Sequence, residues 1–104
     1  MVNRWRGDVA VEVNGQQRVA RLTLGALAEL EEALGEDTLM ALVERFEGSA
    51  FSARDVVALL GAGLRGGGAV ISDEELMVAE VRGGPIGAAR AAAELLARAF
   101  MVPG

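Results

Sequence analysis

Residues 5–35, WRGDVAVEVNGQQRVARLTLGALAELEEALG, decide the fold because the spacing of apolar residues changes within them. Before Thr23, apolar and polar residues alternate on either side of Asn14-Gly15. This dipeptide is typical of two-residue hairpin turns, which need positive φ at both positions. After Thr23, leucines recur at the spacing of one helix face, at positions 24, 27, 30 and 34. The stretch therefore predicts a β-hairpin over residues 5–22 that leads directly into a helix.

The two-residue turn also predicts which residues of the hairpin face each other. It places Val9 opposite Ala20 and, on the other face, Asp8 opposite Arg21 as a cross-strand ion pair. An isolated two-stranded hairpin is marginally stable in water and has two unpaired edges. We therefore expect both edges of this hairpin to be unpaired in the monomer, which makes the hairpin edge a candidate contact surface. Trp5, at the mouth of the hairpin, is expected to pack on the helices, with the anchoring of a partner as the alternative.

Capping signals divide the remaining chain into short helices. Ser52 with Asp55 and Ser72 with Glu75 have the capping-box spacing, and Pro85 suits the first turn of an alanine-rich helix. The predicted helix starts are Thr23, Asp37, Ser52, Ser72 and Pro85, and the predicted ends include Gly35, Gly66, Arg82 and Met101. With no repeat or linker, residues 1–104 are predicted to be one domain, mainly α with an N-terminal β-hairpin (α+β). The hairpin spans 5–22, and four or five short helices span 23–102.

Composition limits the partners. The chain has 104 residues and a net charge of −5, from ten arginines and fifteen carboxylates. This negative charge disfavours nucleic acid, and no apolar run approaches the ~20 residues of a membrane span. The N-terminus lacks an apolar signal segment. We therefore expect a cytoplasmic protein that binds neither nucleic acid nor membrane.

The residue types also argue against catalysis. The chain has no His, Cys, Tyr or Lys, so no ordinary base is present to activate its few hydroxyls. A carboxylate pair could act as acid and base, but it would need a cleft that a chain of this length has little material to enclose. We predict a protein that is not an enzyme, with no catalytic residue, no cofactor and no metal.

One glycine motif resembles a nucleotide-binding loop. Gly61, Gly63 and Gly66 have the GxGxxG spacing after an apolar run. A dinucleotide site requires that run to be a strand and a helix to follow it. The capping box at Ser52 instead makes the run helical, and more glycines follow Gly66. We interpret the small residues at 61–63 as a place where a neighbouring helix approaches closely.

Two surfaces are candidate contact sites. An acidic cluster over residues 29–37 could hold a hard cation, but it lacks EF-hand spacing, so we interpret it as a solvated face that could also dock a basic partner. The C-terminal helix ends in an apolar tip, where Phe100 is expected in the core and the next two residues are better placed for contact. The candidate contact residues are Trp5, Glu29, Glu32, Glu36, Phe100, Met101 and Val102.

Two blocks of the sequence resemble a known family. RGDVAVEVNGQQRVARLTLGALAELEEALG, residues 6–35, and FSARDVVALLGAGLRGGG, residues 51–68, are similar to the gene transfer agent family of small phage-tail proteins. These are components of phage-like particles made by alphaproteobacteria. The resemblance covers about the first two-thirds of the chain well. It implies other phage-like tail proteins as partners and brings no catalytic residue with it.

The resemblance implies either of two roles, tail tube subunit or tail assembly chaperone. Tube subunits of long-tailed phages resemble β-sandwiches that form rings through their sheet edges, and one hairpin lacks the strands for such a wall. We therefore favour a tail assembly chaperone that acts by protein–protein binding. The alternative is a permanent structural part, either a tube subunit or an adaptor. Self-association and incorporation into particles stay open.

Overall fold

A computed structural model describes residues 7–100, which form a two-stranded sheet followed by five helices. The strands are β1 (Val9–Val13) and β2 (Gln16–Ala20), and the helices are α1 (Leu24–Leu34), α2 (Leu39–Glu47), α3 (Ala53–Gly66), α4 (Asp73–Met77) and α5 (Gly84–Ala99). The predicted α+β architecture, an N-terminal hairpin followed by short helices, is confirmed.

The hairpin has the predicted turn and pairing. Asn14 and Gly15 both have positive φ, 51° and 77°, and Val9 lies opposite Ala20 in an antiparallel pair. Asp8 accepts hydrogen bonds from Nε and Nη2 of Arg21, as expected. Its burial was not expected, because Asp8 is 0% exposed although its position in the alternating pattern is on the polar face. Long-range packing therefore overrides the local alternation at this residue.

The predicted caps of α1, α3 and α4 are confirmed. The Thr23 hydroxyl accepts a hydrogen bond from the Ala26 N–H, and both capping boxes, at Ser52 and at Ser72, are complete. Helix α2 starts one residue later than predicted. Thr38 rather than Asp37 is the N-cap, and its Oγ1 accepts from the Ala41 N–H at 3.0 Å.

The predicted end of α4 at Arg82 is wrong, because the helix ends at Met77. The following residues turn back to the hairpin, where Val81 forms a bridge with Val13. The Asn14 N–H donates to the Glu80 carbonyl at 2.7 Å, and the Glu80 N–H donates to Asn14 Oδ1 at 2.9 Å. These long-range hydrogen bonds replace those that would have continued the helix.

Helix α3 lies at the centre of the fold because it contributes to both apolar clusters of the core. Its Leu60 and Leu64 pack with the sheet and with Leu95 of α5. On another side, Leu59 packs with α1 and α2, next to Leu30. The two faces of this one helix therefore join the hairpin to the helical part of the chain.

Candidate functional site

The glycine motif is a packing feature and not a phosphate loop. Gly61, Gly63 and Gly66 all lie within α3. The apolar run that precedes them is part of the same helix and is not a strand. A Cβ built on Gly63 would lie 2.6 Å from a methyl carbon of Leu95, and one on Gly66 would lie 2.1 Å from the Arg21 carbonyl oxygen. Because Leu95 belongs to α5, the interpretation that the small residues at 61–63 let a neighbouring helix approach closely is confirmed at Gly63.

Asp55 is held in its charged form by structural contacts. Burial alone would raise the pKa of this carboxyl. Arg45 donates two hydrogen bonds to it, at 3.0 and 3.1 Å, and the Ser52 N–H donates a third at 2.9 Å. Together these contacts outweigh burial and hold the pKa of Asp55 below its ordinary value. The group therefore joins α2 to the start of α3 and is not poised to exchange a proton near neutral pH.

The acidic residues of the cluster over residues 29–37 are exposed, as expected of a solvated face, but the first of them is also bound to another part of the fold. Glu29 pairs with Arg65, which also donates to Asp73 at 3.0 Å and to the Ile71 carbonyl at 2.8 Å. Glu29 therefore helps to join α1, α3 and the start of α4. Glu32 and Glu36 are exposed. Among residues 7–100, no group of three or more acidic side chains is arranged to hold a metal ion.

The hairpin is less open than the sequence suggests. At the outer edge of β1, the Glu12 carbonyl accepts from the Arg82 N–H at 3.0 Å, and the Asp8 carbonyl accepts from the Arg98 guanidinium. Beyond the end of β2, the Arg21 N–H donates to the Gly63 carbonyl at 2.8 Å. The expectation that both edges are unpaired is therefore wrong along these stretches, and the exposed part of β2 is its polar start, residues 16–18.

The apolar tip of the last helix is only partly within the described residues. Phe100 follows α5 and is 44% exposed, so the expected core role of Phe100 is wrong. Trp5, Met101 and Val102 lie outside the described residues, and their assignment as contact residues stays a prediction.

The structure adds a site that was not predicted, an apolar groove between α3, α4 and the start of α5. We call it the α3–α5 groove. Its volume is about 1240 Å³. Leu60 and Leu76 form a buried floor, and Val56 and Val57 are half-buried wall residues of α3. Met77, at the end of α4, is 62% exposed. The capping box at Ser52 predicted that this run is helical, but helical periodicity does not show that Val56 and Val57 stay partly uncovered.

The polar residues that line the groove are mostly acidic. Asp73, Glu74 and Glu80 contribute carboxylates, and Arg54 contributes one guanidinium. Asp73 is bound to Arg65. Within residues 7–100, the side chains of Glu74, Glu80 and Arg54 form no ion pair with one another or with other groups. An open apolar surface with this charge is suited to bind part of another polypeptide.

Comparison with known proteins shows the class to which this protein belongs, the components of phage-like tails. Residues 6–102 match the model of the family described as phage tail tube protein, GTA-gp10, and the chain belongs to that family. No curated protein and no solved structure matches the chain. In the range 7–100, no helix has the length and apolar character needed to cross a membrane.

Proposed function

We propose that this tail protein is a tail assembly chaperone, which binds an aggregation-prone tail protein until the tube polymerises. The observation that carries the proposal is the combination of an open apolar groove with a sheet too small to build a tube wall. Family membership supports a role in phage-like tails. Without His, Cys, Tyr or Lys the chain has few groups for catalysis, so the proposed activity is recognition and not an enzymatic reaction.

The sheet supports a chaperone better than a tube subunit. Rings built through sheet edges need strands with free backbone groups along their length. In residues 7–100, each strand has five residues, and the outer edge of β1 already bonds to Arg82 and to Arg98. Little strand edge is left for a neighbouring subunit.

A permanent tail component, such as a tube subunit or an adaptor, is the second candidate. The description of the matched family favours it, because that description names the tail tube. A structural part would stay in the finished particle. A chaperone would leave before assembly ends.

The two roles differ in where the protein is found. The chain should be tagged and co-purified from cells with each tail protein of the same gene cluster, and finished particles should be analysed by mass spectrometry beside the lysate. A chaperone is expected to retain one tail protein from the lysate and to be absent from particles. High copy number in finished particles, with no tail protein retained from lysate, would establish the structural role instead.

The salt dependence of association distinguishes the two contact surfaces that the sequence predicts, one apolar and one acidic. Association through the apolar residues Trp5, Met101 and Val102 should be insensitive to added salt and should weaken in Trp5→Ala or after deletion of residues 101–104. Association through the exposed Glu32 and Glu36 should weaken as the screening length falls to ~3 Å at 1 M salt.

A further inference from the structure

We propose that the α3–α5 groove binds one amphipathic helix of a tail protein, with an apolar face and arginine or lysine on its flanks. This inference rests on the proposed chaperone function. It adds the binding site and the chemistry of the segment that occupies it.

The dimensions of the groove suit a polypeptide. Its volume of about 1240 Å³ exceeds the roughly 300–1,000 Å³ of small-molecule pockets. Its walls present Val56, Val57 and Met77 beside the small residues Ala88 and Ala89 of α5. Small residues along one wall let the backbone of an incoming helix approach, while the larger side chains contact its apolar face.

A helix fits better than a strand because the groove offers no free strand edge. The non-helical lining residues that lie next to the hairpin are 79–81. The Glu80 N–H and carbonyl both bond to Asn14, and Val81 bridges to Val13. The backbone here is already used by the hairpin, so recognition must come from side chains, as it does when an amphipathic helix binds in a groove.

Charge specifies the flanks of the occupant. Asp73 is paired with Arg65, but Glu74 and Glu80 have no ion-pair partner within residues 7–100, so two carboxylates against the one guanidinium of Arg54 give the lining an excess of negative charge. Basic residues beside the apolar face would pair with them. The same charges argue against a second copy of this chain in the groove, because a symmetric contact between two such grooves would bring like charges together.

The test compares two methionines of nearly equal exposure, one in the groove and one outside it. Met77 lines the groove and is 62% exposed, whereas Met40 lies on α2, outside the groove, and is 61% exposed. The tail protein retained by the wild-type chain serves as the probe, with affinity measured by calorimetry. Met77→Glu should weaken binding at least about tenfold, and Met40→Glu should change it less than about twofold. Circular dichroism checks that both variants keep the wild-type fold.

A second pair of variants tests the charge. Glu74→Gln with Glu80→Gln removes two carboxylates from the groove, and Glu44→Gln with Glu47→Gln removes two from α2. Only the first pair should weaken binding at low salt, by about threefold or more, and the difference should disappear near 1 M salt.

Each outcome separates the two proposals. Equal effects of Met77→Glu and Met40→Glu on a tail protein that the wild-type chain does retain would overturn the groove and leave the chaperone role intact. Retention of no tail protein by the wild-type chain would overturn both. If light scattering shows a wild-type dimer that Met77→Glu converts to a monomer, the occupant is a second copy and this proposal is wrong.

Discussion

The two ends of α3 differ in how closely the rest of the chain packs against them. At the C-terminal end, Gly66 brings its backbone against Arg21, just after β2, and the following Gly67 lies against β2 itself, where a Cβ on Gly67 would lie 1.7 Å from the Val19 carbonyl oxygen. At the N-terminal end, Val56 and Val57 stand half-buried at the α3–α5 groove. At the C-terminal end, glycines have no side chain and so allow close contact between backbones. At the N-terminal end, side chains that are only partly covered leave a surface that a partner could contact. Stability and binding should therefore be separable along this helix.

The largest expected effect is at the closed end. Gly67→Ala places a methyl group against backbone atoms of Val19 that cannot move without shifting β2. We expect the free energy of unfolding to fall by about 3 kcal/mol or more. Gly25→Ala is the control, because a Cβ there meets only the Thr23 hydroxyl, at 3.8 Å, and alanine should stabilise α1 by up to about 1 kcal/mol. Urea unfolding of both variants measures the difference, and equal stabilities would disprove the close contact.

At the open end, Asp55 anchors the start of α3. Asp55→Ala removes the carboxylate of the capping box and the partner of Arg45, so the free energy of unfolding should fall by about 2 kcal/mol at neutral pH. Asp37→Ala is the matched control. Asp37 is the more exposed partner of Arg45, at 3.5 Å, and its loss should cost less than about 0.5 kcal/mol.

The Asp55 contribution should also depend on pH. Its pKa in the folded chain is below the ordinary value of 3.8, so the charged form stabilises the fold above that pH. The contribution is lost as the pH falls through the lowered pKa. Thermal melts of wild type and Asp55→Ala should therefore differ most at neutral pH and converge in acid. A difference in melting temperature that stays constant down to the lowest pH would show that the ion pair of Asp55 with Arg45 is not the source of the stabilisation.

The hairpin turn should have a smaller effect. Gly15 has φ of 77°, and a Cβ at this position would meet no atom within 4 Å, so Gly15→Val costs only backbone strain. We expect a loss of about 1–2 kcal/mol. Gln17→Val introduces the same side chain at an exposed strand position and should change stability by less than about 0.5 kcal/mol. If thermal melts give both variants the wild-type melting temperature, the turn does not require glycine.

The smallest effect is expected for valine to threonine in the groove. Val56→Thr keeps the shape of a half-buried side chain, and water can reach the new hydroxyl, so stability should change by less than about 0.5 kcal/mol. The same change at Val11, which is buried in β1, should cost about 1–3 kcal/mol because the hydroxyl loses water. Chemical unfolding compares them, and a large loss at Val56 would mean that this wall is part of the core.

The features that depend only on neighbouring residues were predicted correctly. The turn at Asn14-Gly15, the N-cap at Thr23 and the capping boxes at Ser52 and Ser72 each depend on residues within three positions of one another. All were identified correctly from the sequence. The GxGxxG spacing was also interpreted correctly, because its cap placed it within a helix.

Long-range contacts decided what the sequence missed. The end of α4 depends on Asn14, which lies 66 residues before its hydrogen-bond partner Glu80. The burial of Asp8 depends on Arg21 across the hairpin and on Arg98 near the end of α5. The α3–α5 groove requires three helices to be placed side by side, so the periodicity of any one of them does not reveal it.

The contact between Arg98 and Asp8 spans 90 positions of sequence and has a consequence for synthesis. The ribosome delivers β1 early and α5 late, and domains generally fold as units. Before Leu95 and Arg98 have emerged, Leu95 cannot fill the space beside Gly63, and the hydrogen bond from Arg98 to the Asp8 carbonyl cannot form. We therefore expect a nascent chain stalled before residue 95 to be readily digested by protease, and protection to appear only when the last turns of α5 leave the exit tunnel.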